Sequence, residues 1–247
     1  MNWWGMAAGA AAAATVAVAG TAFLRGRHRI NGHVDAYARH WSDRPTEHPE
    51  DVLHYVALGD SAAQGVGASS VHNGYVAIVA RRLQESTGRP VAITNLSVSG
   101  AVSDDVVRDQ LDTFRALPFV PDIVTLDIGA NDVVFPPYGV DSFASSLTTI
   151  LETLPEGSFV ADVPWMIFAG WAKQSEAMTV RAQELIAAKG HRLVQLHQES
   201  RSRSLLTYPR RTAQDWFHPN DVGYQQWADA FWASISSSGV LEELSRG

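Results

Sequence analysis

Between Val52 and Leu196 short apolar runs alternate with longer stretches whose apolar residues recur every three or four positions. The runs are Val52–Leu58, Val91–Leu96, Asp122–Ile128, Ser158–Val163 and Arg192–Leu196. They have the length of strands, and Tyr55–Leu58 and Ile123–Leu126 are nearly continuous in apolar residues, as parallel strands buried on both faces should be. The stretches with helical spacing are Gly74–Glu85, Asp104–Leu117, Asp141–Leu154, Glu176–Lys189 and Val222–Ser236. In the second of them Val107, Leu111 and Phe114 share one face, while Asp105, Arg108, Asp109 and Asp112 fall elsewhere. Strand and helix in strict alternation predict an α/β domain, a five-stranded parallel sheet covered by helices on both faces. In open sheets of this build, ligands sit beyond the carboxyl ends of the strands, which directs attention to the residues that follow each strand.

Ahead of this pattern the chain changes character. Residues 3–24 carry no charged side chain, and about 20 such residues are enough to cross a bilayer as a helix. Trp3 and Trp4 suit an interfacial position, and Arg25, Arg27 and Arg29 form a basic flank. The segment reads as a membrane anchor, with the basic flank favouring a cytoplasmic domain. The competing reading is a secretory signal cleaved near Gly20, Thr21 and Ala22; against it, no Lys or Arg precedes the apolar run. Residues 31–50 are polar, with His33, His40, His48, Pro45 and Pro49, and read as a linker. The expected division is therefore 1–30 anchor or signal, 31–50 linker and 51–247 catalytic domain.

Composition narrows the function. A chain of 247 residues with 46% hydrophobic and 18% charged residues has the balance of a globular protein. The net charge of −7 leaves no broad basic surface for phosphates, which argues against nucleic-acid binding. Cysteine is absent, so thiolate nucleophiles, disulfides and Cys-ligated zinc are excluded. Neither HExxH nor an EF-hand loop occurs, the scattered His residues lack metal-site spacing, and Asp104, Asp105, Asp109 and Asp112 read as the acidic start and wet face of a helix. No metal or cofactor is expected.

Four strand ends carry groups able to do chemistry. The first strand is followed by Gly59-Asp60-Ser61, with Gly65 and Gly67 behind it, placing a serine hydroxyl on an exposed turn. After the second comes Asn95-Leu96-Ser97-Val98-Ser99-Gly100, whose glycine lets the backbone approach a ligand. After the third comes Gly129-Ala130-Asn131-Asp132, whose Asn131 amide can donate to a developing oxyanion. Before the last helix stands Asp215-Trp216-Phe217-His218-Pro219-Asn220. An imidazole there can take a serine proton near neutral pH, and an aspartate three residues earlier can reach the far ring nitrogen. Taken singly, each motif is an ordinary turn or helix cap; together and in order they supply the parts of one acyl-transfer site. The Gly-x-Ser-x-Gly elbow of α/β-hydrolases is absent.

These four stretches resemble the four sequence blocks of the SGNH (GDSL-type) hydrolase superfamily, from about Tyr55 to Trp227. Gly59-Asp60-Ser61-Ala62-Ala63-Gln64-Gly65-Val66-Gly67 is close to the first block and Gly129-Ala130-Asn131-Asp132 to the third. The resemblance implies a three-layer α/β/α flavodoxin-like fold of strand order 2-1-3-4-5, preceded here by the N-terminal apolar helix. It also implies Ser61 as nucleophile, His218 as base oriented by Asp215, and an oxyanion hole of Gly100, Asn131 and the Ser61 N–H. The expected partner is a small-molecule or lipid ester. Two apolar stretches after strand ends, Val133–Val140 with Phe135 and Tyr138, and Trp165–Trp171 with Trp165 and Phe168, are candidates for the acyl pocket, and equally suit core packing. An acyltransferase would use the same residues, and a membrane-tethered binding module without turnover is the reading from another class, although binding alone needs no base.

Overall fold

The computed structural model describes residues 30–43, 52–201 and 207–245. Among them, strands β1 (Leu53–Gly59), β2 (Val91–Asn95), β3 (Ile123–Asp127), β4 (Phe159–Ala161) and β5 (Arg192–Val194) form one parallel sheet in the order β2-β1-β3-β4-β5. The helices are α1 (residues 30–42), α2 (Ser61–Gln64), α3 (Tyr75–Thr87), α4 (Ser103–Asp105), α5 (Leu111–Arg115), α6 (Ala130–Val134), α7 (Val140–Thr153), α8 (Ala169–Ala188), α9 (Leu196–Ser200), α10 (Asp221–Ser237) and α11 (Val240–Leu244).

Side chains alternate across a strand, so β1 sends Tyr55 and Ala57 to one face and Val56 and Leu58 to the other. The first pair joins a core with Ile78, Val79 and Leu83 of α3 and Tyr224, Phe231 and Ile235 of α10. The second joins Leu111 and Phe114 of α5, Phe143, Leu147 and Ile150 of α7, and Met178, Ala182 and Ile186 of α8. Each large apolar side chain so buried is worth about 1.5–3 kcal/mol, and the helices are thereby fixed to both faces of a sheet whose carboxyl ends stay open at one rim.

One predicted helix is built differently. Over Asp104–Leu117 the periodicity predicts a single α-helix, whereas the structure joins α4 to α5 by a π-helical stretch, Val106–Gln110. The wider turn carries buried Gln110 to the end of β1, where its Oε1 accepts the Gly59 N–H at 3.0 Å and its Nε2 donates to Gly59 O at 2.7 Å. Gly59 O also accepts from Val98 N, so only the N–H depends on this side chain. Leaving a buried donor unpaired costs about 1–3 kcal/mol. Gln110→Met, which keeps the volume and removes the acceptor, is expected to lower the unfolding free energy by about that amount. Urea titration checks it, and an unchanged midpoint refutes it.

The stretch read as a polar linker also contains structure. Residues 30–42 form α1, and Ile30, Tyr37 and Trp41 are buried in the core, with Val34 packed against it. The spacing of these four positions, four, three and four residues, is a helical stripe, diluted by the polar residues between. Two buried hydrogen bonds, from Tyr37 Oη to Ala68 O (2.9 Å) and from Trp41 Nε1 to Gln64 O (3.0 Å), fasten the helix beside α2. The apolar segment 3–24 lies outside the described residues; among those described, no helix is long and apolar enough to cross a membrane.

Candidate active site

β1 ends at Gly59, whose φ of 141° and whose missing side chain are both required: a Cβ there would lie 2.1 Å from Asp127 O on β3. The chain turns under β3, and Asp60 caps α2 by accepting the Ala62 N–H at 2.9 Å. Ser61 is thus the first residue of a short helix starting at the strand end. Its hydroxyl lies 2.9 Å from His218 Nε2. On the far side of the ring, His218 Nδ1 lies 2.5 Å from Asp215 Oδ2. The other oxygen of Asp215 accepts the N–H groups of Phe217 and His218, both at 3.1 Å.

This loop is held by several independent contacts. Trp216 sits at φ 59°, in the left-handed region, a conformation that costs about 1–3 kcal/mol for a non-glycine residue and persists only when its surroundings impose it. Tyr208 Oη donates to Trp216 O, Ala213 N donates to His218 O, and Asn220 ties the loop to Arg210 O and Thr212 O. Gly67 packs so closely beneath it that a Cβ would stand 2.4 Å from Pro219 O and 2.8 Å from the His218 Cβ. The imidazole is therefore positioned by α2's following turn as well as by Asp215.

Gly100, at φ 84°, and Asn131, the second residue of α6, lie on the same rim. Asn131 Nδ2 donates to Ala101 O at 2.8 Å and is 3.4 Å from Asp60 Oδ2; the first bond fixes the Gly100 turn, and the second is too long to engage the remaining proton fully. Neither the Ser61 nor the Gly100 N–H donates to a described residue. The Ser97–Gly100 turn is hung from α2: Gln64 Nε2 donates to Ser97 O, Ser99 Oγ donates to Gln64 Oε1, and Asn95 Nδ2 donates to Ala63 O. Gln64 and Asn95 were not singled out from the sequence, because their partners lie across the sheet rim. The closeness of Gln64 to Ser61 is the only local signal.

The carboxyl groups around the site separate into two kinds. Burial pushes the Asp60 carboxyl up to about 7, and burial likewise raises Asp127, Asp132 and Asp162. Asp215 goes the other way. Its burial alone raises it, but the hydrogen bond to His218, that ring's charge and the N–H groups of Phe217 and His218 outweigh this and hold it below the ordinary range. The carboxylate held ionised is the one facing the imidazole.

Ser61, Gly100, Asn131, Asp215 and His218 all line one open groove of about 810 Å³. Phe135 and Phe168, about half exposed, line it too, joined by Trp171 and Trp216. Trp165 lines a second, smaller cavity that also reaches Ser61 and His218. Tyr138 lines neither; its carbonyl accepts from Gln174. Trp216, which the sequence places inside the His218 motif without a role of its own, is a wall of the groove. Among the described residues, no group of three or more His, Cys, Asp or Glu side chains is gathered to hold a metal ion.

A GDSL-like esterase of Mycobacterium tuberculosis, Rv1075c, is 36% identical over 87 residues, which span 35% of this chain and 27% of that protein. The structure of an acetyl xylan esterase from Geobacillus stearothermophilus superposes with a TM-score of 0.62 at 22% identity, covering 77% of this chain and 97% of that one. An esterase from Pseudoalteromonas sp., solved with monoethylphosphonate as inhibitor, superposes with a TM-score of 0.56 at 20% identity, covering 74% and 97%. Likeness at such identities is a likeness of fold. The match over residues 57–226 to the GDSL-like lipase/acylhydrolase family runs from the end of β1 into the first turns of α10, more than half of the chain, and by it the chain belongs to that family.

Proposed function

We propose that this chain hydrolyses carboxylic esters through a covalent acyl-enzyme on Ser61. The observation that carries the reading is the line of contacts from Ser61 Oγ through His218 to Asp215, at 2.9 Å and 2.5 Å. A serine hydroxyl is a weak nucleophile until a base takes its proton, and the imidazole is within reach to do so as the oxygen attacks. Asp215 keeps the Nδ1–H tautomer and stabilises the imidazolium that forms. The carbonyl oxygen, now bearing charge, faces the N–H groups of Ser61 and Gly100 and the Asn131 amide, donors preorganised for it. His218 then returns the proton to the leaving alcohol, and water repeats the cycle on the acyl-enzyme. A p-nitrophenyl alkylphosphonate tests the reading by mass spectrometry: the expected result is one adduct per chain on Ser61, and a chain that stays unlabelled defeats it. An acyltransferase outcome differs only in the acceptor, and product analysis with competing alcohols separates the two.

Asn131→Ala is expected to lower kcat about 100- to 1000-fold, the usual cost of one oxyanion donor, with a smaller change in KM. Steady-state kinetics on p-nitrophenyl acetate check it, and an effect confined to KM would refute the role.

The same reading keeps residues 3–24 as a membrane anchor and 51–247 as the catalytic domain, with α1 packed on the latter. Alkaline washing of membranes from cells expressing the full chain tests the anchor, since release into the supernatant would refute it.

A further inference from the structure

The helix α1 precedes the family match, which begins at residue 57, yet it reaches the reaction centre. Ile30, Asn31 and Val34 line the groove onto which Ser61, Gly100, Asn131 and His218 open. The bonds of Tyr37 to Ala68 O and of Trp41 to Gln64 O clamp the rest of the helix to the turn that carries Ser61. The apolar stripe packs on the core along its whole length, and at its amino end Ile30 and Val34 also line the groove.

Two spaces of unequal size meet at Ser61 and His218. The smaller, about 50 Å³ and bounded by Trp165, Tyr208 and Trp227, has room for a few heavy atoms. The larger, about 810 Å³, is walled by Val134, Phe135, Phe168, Trp171 and Trp216 besides α1. An ester whose carbonyl carbon meets Ser61 Oγ has two limbs, and only the groove admits a long one. Apart from the reacting and oxyanion groups, the groove presents mostly hydrocarbon and aromatic surface, which suits an alkyl chain and offers little to a hydroxyl-rich limb.

We propose that the first turn of α1, through Ile30, Asn31 and Val34, is a wall of a hydrocarbon-binding groove and determines the site's preference for esters with one long alkyl limb. This rests on the ester-hydrolase reading above. The long limb is either the acyl chain or the alcohol, and two substrate series distinguish them: ethyl octanoate against ethyl acetate, and octyl acetate against ethyl acetate. In the wild-type protein kcat/KM is expected to favour the eight-carbon ester at least tenfold in one series, since each methylene taken out of water is worth up to about fourfold. Asn31, exposed on α1, takes substitutions without disturbing the core. Asn31→Trp fills the groove and Asn31→Glu places a charge in it, and each is expected to cut that ratio at least tenfold, with far-UV circular dichroism confirming the fold. The proposal is overturned if both wild-type ratios are near one, or if the preference survives in both variants. If the wild-type chain cleaves none of these esters, or Ser61→Ala cleaves them equally well, the parent reading falls with it, and that result is recognisable because no Ser61-dependent ratio then exists.

Discussion

Replacing Ser61 by Ala is expected to lower kcat on p-nitrophenyl acetate about a millionfold, with His218→Ala losing as much and the double variant losing no more. A millionfold corresponds to about 8 kcal/mol of barrier. Loss of either group removes the same covalent route, because an alkoxide cannot form without the base and the base has nothing to act on without the hydroxyl. On the proposed mechanism, what stays behind in each variant is the oxyanion cradle of Gly100 and Asn131, which should still support slow attack by water. The Ser61 variant is a clean probe. Among the described residues its hydroxyl bonds only to His218, while the helix cap comes from Asp60 and the next two residues are already alanine, so folding should be unaffected and phosphonate labelling abolished. Activity within tenfold of wild type in either single variant, measured on protein with an unchanged melting profile, would sink the assignment of both.

Asp215→Asn should cost about 10,000-fold in kcat while leaving the loop in place. An asparagine oxygen can still accept the N–H groups of Phe217 and His218, so the left-handed Trp216 turn keeps its support. The change falls on the ring. An amide NH2 facing Nδ1 favours the tautomer with its proton on Nε2, which cannot take the proton of Ser61. A loss below about tenfold would remove Asp215 from the mechanism. The same substitution should also show in stability. A carboxyl whose folded-state value lies below the ordinary one near 3.8 contributes stability fully above that pH, and loses it as the pH falls through the lower, folded-state value. Thermal melts of the wild type should therefore fall more steeply below pH 4 than those of the variant, and parallel curves would show that Asp215 has no such linkage.

Local periodicity made the layers legible. Runs of apolar residues at strand length and stripes at helical spacing depend on near neighbours in the chain, so Tyr55–Leu58 and Ile123–Leu126 announced buried parallel strands, and Leu111 with Phe114 a helix face. Positions after strand ends pointed to Ser61, Gly100, Asn131 and His218 because sheet geometry directs chemistry to that rim. Edges were less legible: β4 and β5 are shorter than their apolar runs, and α8 starts seven residues before the predicted stretch, at Ala169. Hydrogen-bond partners outside a segment decide where it ends.

By itself, the order of residues determined the α/β architecture and which side chains could take part in acyl transfer, since both follow from short-range spacing and residue chemistry. Only the tertiary structure decided the distances that join Ser61 to an imidazole 157 positions away, the π turn that delivers Gln110 to Gly59, the glycine at 67 that leaves room for the His218 loop, and the use of α1 as a groove wall. Each of these depends on how close two segments approach after the helices close on the sheet, a quantity set by packing of side chains far apart in the chain and absent from any local pattern.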